Sequence, residues 1–187
     1  MSRVGARIRA LFFELLNQAA AANAAFNQAQ NALDLSSVLD APGLVTPEGR
    51  EQSRDTLDKL SGLLGHHRQV YATFAAQAVN RMSEAVSELP DARAEVAGMM
   101  AMLQRNVAEQ LAFYAEREEW IALARKLGEM FEVGQCGLHD GELLAIDDVV
   151  LARVQQVTAR LDEIHAIEVS RFERQKRKLA GVLPSSG

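Results

Sequence analysis

The chain has one cysteine among its 187 residues, Cys136, so no disulfide can form within it. Prolines are few and fall in three places: Pro42 with Pro47, Pro90, and Pro184. Between them run stretches of about forty residues without a strong breaker, far longer than a mean strand. Aromatics make up only 5% of the chain although 48% of it is hydrophobic. The apolar mass is therefore Ala, Leu, Val and Met, a mixture that favours helix and lacks the aromatic residues that fill strands. No apolar run reaches the roughly eighteen residues of a membrane-spanning helix. Positive charge is not in excess: 20 Lys and Arg stand against 25 Asp and Glu, a net charge of −5. That balance argues against nucleic acid as a partner, whose binders carry a basic footprint. Glycine-rich phosphate loops, nucleophile elbows and a Cys-x-x-Cys-His haem motif are all missing, and no cofactor is expected.

What remains is helical periodicity. Val4, Ile8, Leu11, Phe12, Leu15, Leu16, Ala19, Ala22, Phe26, Ala29 and Leu33 recur at three and four, the spacing of one helix face. This predicts a helix over about 4–39, ended by Ala41-Pro42-Gly43. Thr46 is a suitable cap and Pro47 a suitable first residue for a second helix over 47–88. Its seam is Leu57, Leu60, Leu64, His67, Tyr71, Phe74, Ala78 and Ala85, and Gly62 and Gly65 inside it predict a close helix crossing or a kink. Leu89-Pro90-Asp91 predicts a reversal, with Asp91 capping a third helix over 91–133. Gly134 to Ile146 reads as the longest irregular connection, a solvated acidic loop. Asp147 caps a fourth helix over 147–180, and residues 181–187 read as a flexible tail. The expected fold is all-α: a single domain over 1–187, an up-down-up-down bundle of four long helices.

That topology predicts a bipolar molecule. Arg3, Arg7, Arg9, Arg81, Arg93, Arg171, Arg174, Lys176, Arg177 and Lys178 would share one end with six acidic residues. The other end would carry eleven acidic residues, among them Asp140, Glu142, Asp147 and Asp148, against Arg50 and Arg54. Helix dipoles account for most of this pattern. They do not account for Arg3, Arg7 and Arg9, cations at a helix start. With Val4, Ile8, Leu11 and Phe12 these form a short basic amphipathic stretch, of a kind suited to an anionic membrane surface or an acidic partner. Arg174, Lys176, Arg177 and Lys178 join them as candidate binding residues. The same N-terminal stretch superficially resembles a secretory leader, but Glu14 interrupts its short apolar part and the helical pattern continues past it. A cytoplasmic location is expected, with the periplasm as the alternative, and the Ala-rich composition is of a kind that GC-rich bacterial genomes encode.

Residues with chemistry are scattered. His66 and His67 are neighbours about 100° apart on a helix and cannot chelate one ion from one face. His165 and Glu168 lie one turn apart on the fourth helix. A pocket formed by His67, Tyr114, His165 and Glu168 is the candidate polar site, and a helix-register role is its bland counterpart. The carboxylate bundles that hold two irons need a Glu-x-x-His on each of two helices, and that motif is not found here. Cys136, His139, Asp140 and Glu142 cluster in the third connection but match no structural zinc spacing, so no metal site is expected. Trp120 is expected to pack at the edge of the core. The expected function is a non-catalytic interaction module, with a protein partner, a second copy or an anionic surface as its target. The alternative is a metal- or small-molecule-binding bundle using the His165 and Glu168 pocket.

Overall fold

The computed structural model describes residues 3–88 and 93–182, and it is almost wholly helical. Helix α1 spans Arg3–Asn31, a short 3-10 turn covers Ser36–Val38, and α2 spans Ala41–Val45. Helix α3 runs over Pro47–Glu88 and α4 over Arg93–Glu132. Two short strands follow, β1 at Cys136–His139 and β2 at Glu142–Ala145, and α5 closes the order at Asp148–Val182. Four helices are long, at 29, 42, 40 and 35 residues. None is long and apolar enough to cross a membrane among the described residues. Asp91 and the reversal around Pro90 lie outside the described residues, as does the end of the tail, 183–187.

Two of the helix starts follow the capping residues that the sequence offers. The Thr46 hydroxyl accepts the Gly49 amide at 3.0 Å, ahead of Pro47, and the Asp147 carboxylate accepts the Val150 amide at 2.8 Å. Each satisfies an orphan donor of a first turn. The first helix corrects the sequence reading, because α1 ends at Asn31 rather than near Leu39. Beyond Asn31 the Leu33 amide turns back to Gln30, and Asp34, Ser36 and Ser37 compete with a helical backbone for its hydrogen bonds. Ala41-Pro42-Gly43, expected to end a helix, instead begins one. The Asp40 carboxylate accepts the Gly43 amide at 2.7 Å, with Pro42 in the first turn. Proline in a first turn is a start signal as much as a stop signal.

The third connection holds the second correction. It is a β-hairpin, with Cys136 opposite Ala145, Gly137 opposite Leu144, Leu138 opposite Leu143 and His139 opposite Glu142. Asp140 and Gly141 form its two-residue turn, both at positive φ (51° and 82°), the backbone that a tight hairpin requires and that Asp-Gly supplies. The two-stranded ladder continues one step further, since the Ile146 amide donates to the Gln135 carbonyl at 3.0 Å.

The chain forms two compact units, each discontinuous in sequence: residues up to Leu35 with Asp55–Glu118, and Ser36–Arg54 with Glu119 onward. In the first, Leu15, Ala78, Met82, Val96 and Leu103 are buried together, with Phe74, Met99 and Met100 against them. Helix α3 passes unbroken through Gly62 and Gly65. The space that a Cβ would occupy at either glycine is open, so the expected close crossing does not occur there. Two cross-helix ion pairs, Arg81 with Glu14 and Arg68 with Glu118, lie on the surface of this unit.

The second unit has a mostly aliphatic interior: Leu44, Leu127, Met130, Phe131, Val150, Val154, Val157 and Leu161, with Cys136 among them. Trp120 packs half-buried against this group, as its off-seam position predicts. Here backbone meets backbone. A Cβ on Gly49 would run into the Pro42 carbonyl, and one on Gly43 into the Ser37 carbonyl. The buried Ser53 hydroxyl lies 3.3 Å from both the Val38 and Gly43 carbonyls. Arg50 reaches the last carbonyls of α2, Leu44 at 3.1 Å and Val45 at 2.7 Å. Helix α4 is tied to α5 by the two-pronged pairing of Arg160 with Glu119, both contacts at 2.8 Å.

Candidate functional site

The first unit assembles one buried polar cluster, from all three of its long helical segments. His67 of α3 and Tyr114 of α4 are 4% and 1% exposed. The imidazole Nδ1 lies 2.9 Å from the Tyr114 hydroxyl, and Nε2 lies 3.1 Å from Asn23 Oδ1 on α1. An amide oxygen only accepts, so Nε2 carries the proton and donates to it. The neutral ring then presents a lone pair at Nδ1, to which the phenol donates. Both ring nitrogens are satisfied in one tautomer. Phe26 stacks on the imidazole with centroids 4.6 Å apart, and Tyr71 and Tyr114 flank it. The Arg68 guanidinium sits 5.4 Å above the Tyr114 ring centroid. Burial, with the neighbouring His66 adding to it, holds the His67 pKa below its ordinary 6.5. Burial raises Tyr114 above the ordinary tyrosine value, opposed by a hydrogen bond from Gln110.

This triad resembles a proton relay in composition, but a general acid or base must reach the proton it transfers. Tyr114 and His67 are closed off by their own packing. The arrangement joins three helices through directional bonds in a low-dielectric interior. The sequence offered His67 and Tyr114 as members of one candidate pocket and so found two of its three members. Asn23 was missed, because it lies off the α1 stripe and nothing local marks its partner.

The structure brings His67 and Tyr114 together in the first unit, whereas His165 and Glu168 belong to the second. His165 is exposed on α5, and Glu168, one turn on, is half-buried. Of the basic candidates, Arg174 and Arg177 are exposed on α5. The side chains of Arg3, Arg7, Arg9, Lys176 and Lys178 lie outside the described residues.

His66 lines an open groove of about 480 Å³ between α1 and α3, with Gln18, Gln69, Gln77, Val70 and Phe74. Its polar lining is amide, hydroxyl and imidazole. It has the means to hold a ligand in place but presents no activated nucleophile.

In the second unit the hairpin separates the residues that the sequence clustered. Cys136 is buried on the core face, and burial pushes its thiol pKa up, away from the thiolate form. His139, three positions on, stands exposed with its ring 3.6 Å from Asp140. Residues three apart on a strand point to opposite faces, so these two cannot share an ion. No group of three or more His, Cys, Asp or Glu side chains among the described residues could hold a metal ion.

The hairpin's other property is its outer surface. Leu138, Leu143 and Ala145 pack on the core, so alternation turns Leu144 and Ile146 away from it. They are 55% and 67% exposed, and Val133 and Val149, which bracket the hairpin, are 67% and 68% exposed. Leucine, isoleucine and two valines at such exposure within seventeen residues make a region that water solvates poorly. Other large apolar side chains are exposed, Phe13 and Leu111 in the first unit and Phe172 on α5, and Leu16 and Met102 line a small, mostly apolar pocket with Phe12 and Phe74. Compared with protein-family models, with curated proteins and with solved structures, the chain matches none of them.

Proposed function

We propose that this chain is a non-catalytic interaction module that binds a protein partner, built on four long helices running up-down-up-down. The observation that carries this reading is the outward display of Leu144 and Ile146 from a strand whose alternate residues are already committed to the core. A short strand whose outer face serves only solvent would carry polar residues there. The buried His67 cluster supports the same reading, because its donors and acceptors are spent on holding helices rather than on a substrate. Basic contact through Arg3, Arg7, Arg9, Arg174, Lys176, Arg177 and Lys178 with an acidic partner or anionic surface belongs to this proposal as a second contact region. A photo-crosslinking residue at position 144 of the full chain is expected to give a discrete protein adduct in the native cell. The same residue at Gln156, exposed on α5, is expected to give none. Equal labelling at both positions, or none at either, would overturn the reading.

A second reading is favoured by the groove between α1 and α3. Its glutamines and His66 suit a small neutral polar ligand. Calorimetric titration with a panel of neutral polyols and amides would support it if one bound stoichiometrically and Gln69→Leu abolished that binding.

A further inference from the structure

We propose that the outer face of the β1–β2 hairpin docks a cationic amphipathic segment of the partner. This inference rests on the reading of the chain as an interaction module and supplies the chemistry of what it binds.

The face is shaped for an apolar insertion. Gly137 stands directly across from Leu144, so no side chain of β1 shields that leucine at its cross-strand position. Ile146 follows on the same face, one step along the ladder. The two present a continuous aliphatic ridge with an open shoulder at the glycine.

The formal charge carried by the hairpin and its immediate flanks is of one sign. Between Val133 and Val149 the chain carries Asp140, Glu142, Asp147 and Asp148 and no lysine or arginine. All four are exposed. Asp147 caps α5, and Asp148 lies in its first turn, where the helix dipole favours it. Asp140 and Glu142 sit at the hairpin tip, with the His139 imidazole 3.6 Å from Asp140. An apolar centre with charged flanks is the anatomy of a protein interface, and the acidic charge that the hairpin itself carries favours a partner of opposite sign.

The same charges disfavour the alternatives. In a symmetric contact between two copies, a patch meets itself, which would set four carboxylates against four. An anionic membrane would be repelled by the same carboxylates. A segment presenting Leu, Ile or Val on one side and Lys or Arg beside them satisfies both parts of the face at once.

The test uses the full chain and a labelled helical peptide of leucine and lysine, about 18 residues long, with a leucine and glutamate peptide as its counterpart. Fluorescence anisotropy is expected to show binding of the lysine peptide, weakening as salt is raised, and no binding of the glutamate peptide. The Leu144→Ser/Ile146→Ser variant is expected to lose about tenfold or more in affinity, the scale of a central interface residue. Asp140→Asn/Glu142→Gln is expected to lose several-fold and to flatten the salt dependence. Ile146→Lys, which keeps the hairpin's hydrophobic underside intact, is expected to abolish binding by repulsion. Unchanged far-UV circular dichroism identifies variants that have kept the fold.

Equal affinity of wild type and Leu144→Ser/Ile146→Ser for the lysine peptide would overturn the proposal. So would tight binding of the glutamate peptide, or self-association in sedimentation that Ile146→Lys abolishes. A position-144 crosslink to a partner without a basic segment would overturn the cationic assignment while the interaction reading stands. Absence of any adduct would remove both.

Discussion

The two units close their interiors by different means. The first places a hydrogen-bonded imidazole and phenol among aromatic rings, and its helix glycines face open space. The second uses mostly aliphatic side chains and brings glycine backbones into direct contact near the start of α3. A polar cluster is directional and tolerates one arrangement of its helices, but gains little net free energy because each bond replaces one with water. An aliphatic core gains more per residue buried but specifies its arrangement through shape alone. The Gly43 and Gly49 approaches supply that missing specificity by a steric route. The first unit thus fixes its register by hydrogen bonding, and the second adds close steric approach to the Ser53 and Arg50 hydrogen bonds near the start of α3.

This contrast is open to direct attack, beginning with the largest effect. Gly49→Val should destabilise the chain by about 3 kcal/mol or more, because the new side chain meets a backbone carbonyl that cannot swing aside. Gly65→Val, with open space at its Cβ, should carry no such penalty, since valine is a slightly better helix former than glycine. Urea unfolding followed by circular dichroism checks both. A loss under about 1 kcal/mol at Gly49 would show that the second unit does not depend on this contact.

Next is Tyr114→Phe, which leaves the buried His67 Nδ1 without a donor and should cost about 1–3 kcal/mol. Adding His67→Leu removes the orphan, so the double variant should fall short of the summed single losses. Additive losses would mean that the two side chains act independently. The same cluster sets a pH dependence. The folded-state pKa of His67 lies below the ordinary 6.5, so below that pH the unfolded chain binds the proton first. Its contribution is complete above 6.5 and is lost progressively as pH falls through and below that value. In His67→Leu this part of the acid sensitivity should vanish.

The smallest effect has the opposite sign. Gly62→Ala and Gly65→Ala should each stabilise the chain by about 0.5–1 kcal/mol, since exposed helix glycines cost conformational entropy and nothing crowds the added methyl. Destabilisation by either would reveal a packing role for these glycines.

Much of this was legible in the residues. Thr46-Pro47 and Asp147 mark two helix starts by capping chemistry that acts locally, and the long helices follow from periodicity. His67 was readable as a seam residue and Tyr114 as a pocket candidate beside it. Their partner Asn23 was not, because a hydrogen bond between residues forty-four apart leaves no local trace. The hairpin was missed for a different reason. His139-Asp140-Gly141-Glu142 carries a recognised turn signal, with Leu138 and Leu143 alternating around it. Its strands are only four residues each, though, and the acidic character of the segment suggested solvent. The early end of α1 was obscured because Ala32, Leu33 and Leu35 extend the helical stripe, while the serines and aspartates that break it act through the backbone.

The distribution of chromophores gives the two units separate optical signatures. Both tyrosines of the chain, Tyr71 and Tyr114, fall in the first unit, and its only tryptophan, Trp120, packs in the second. Burial raises the pKa of both phenols, so phenolate absorbance at alkaline pH will mark the opening of the first unit alone. Indole emission will follow the second. A single unlabelled sample therefore carries two independent clocks, and comparing them under denaturant tells whether the halves of the molecule come apart together or in turn.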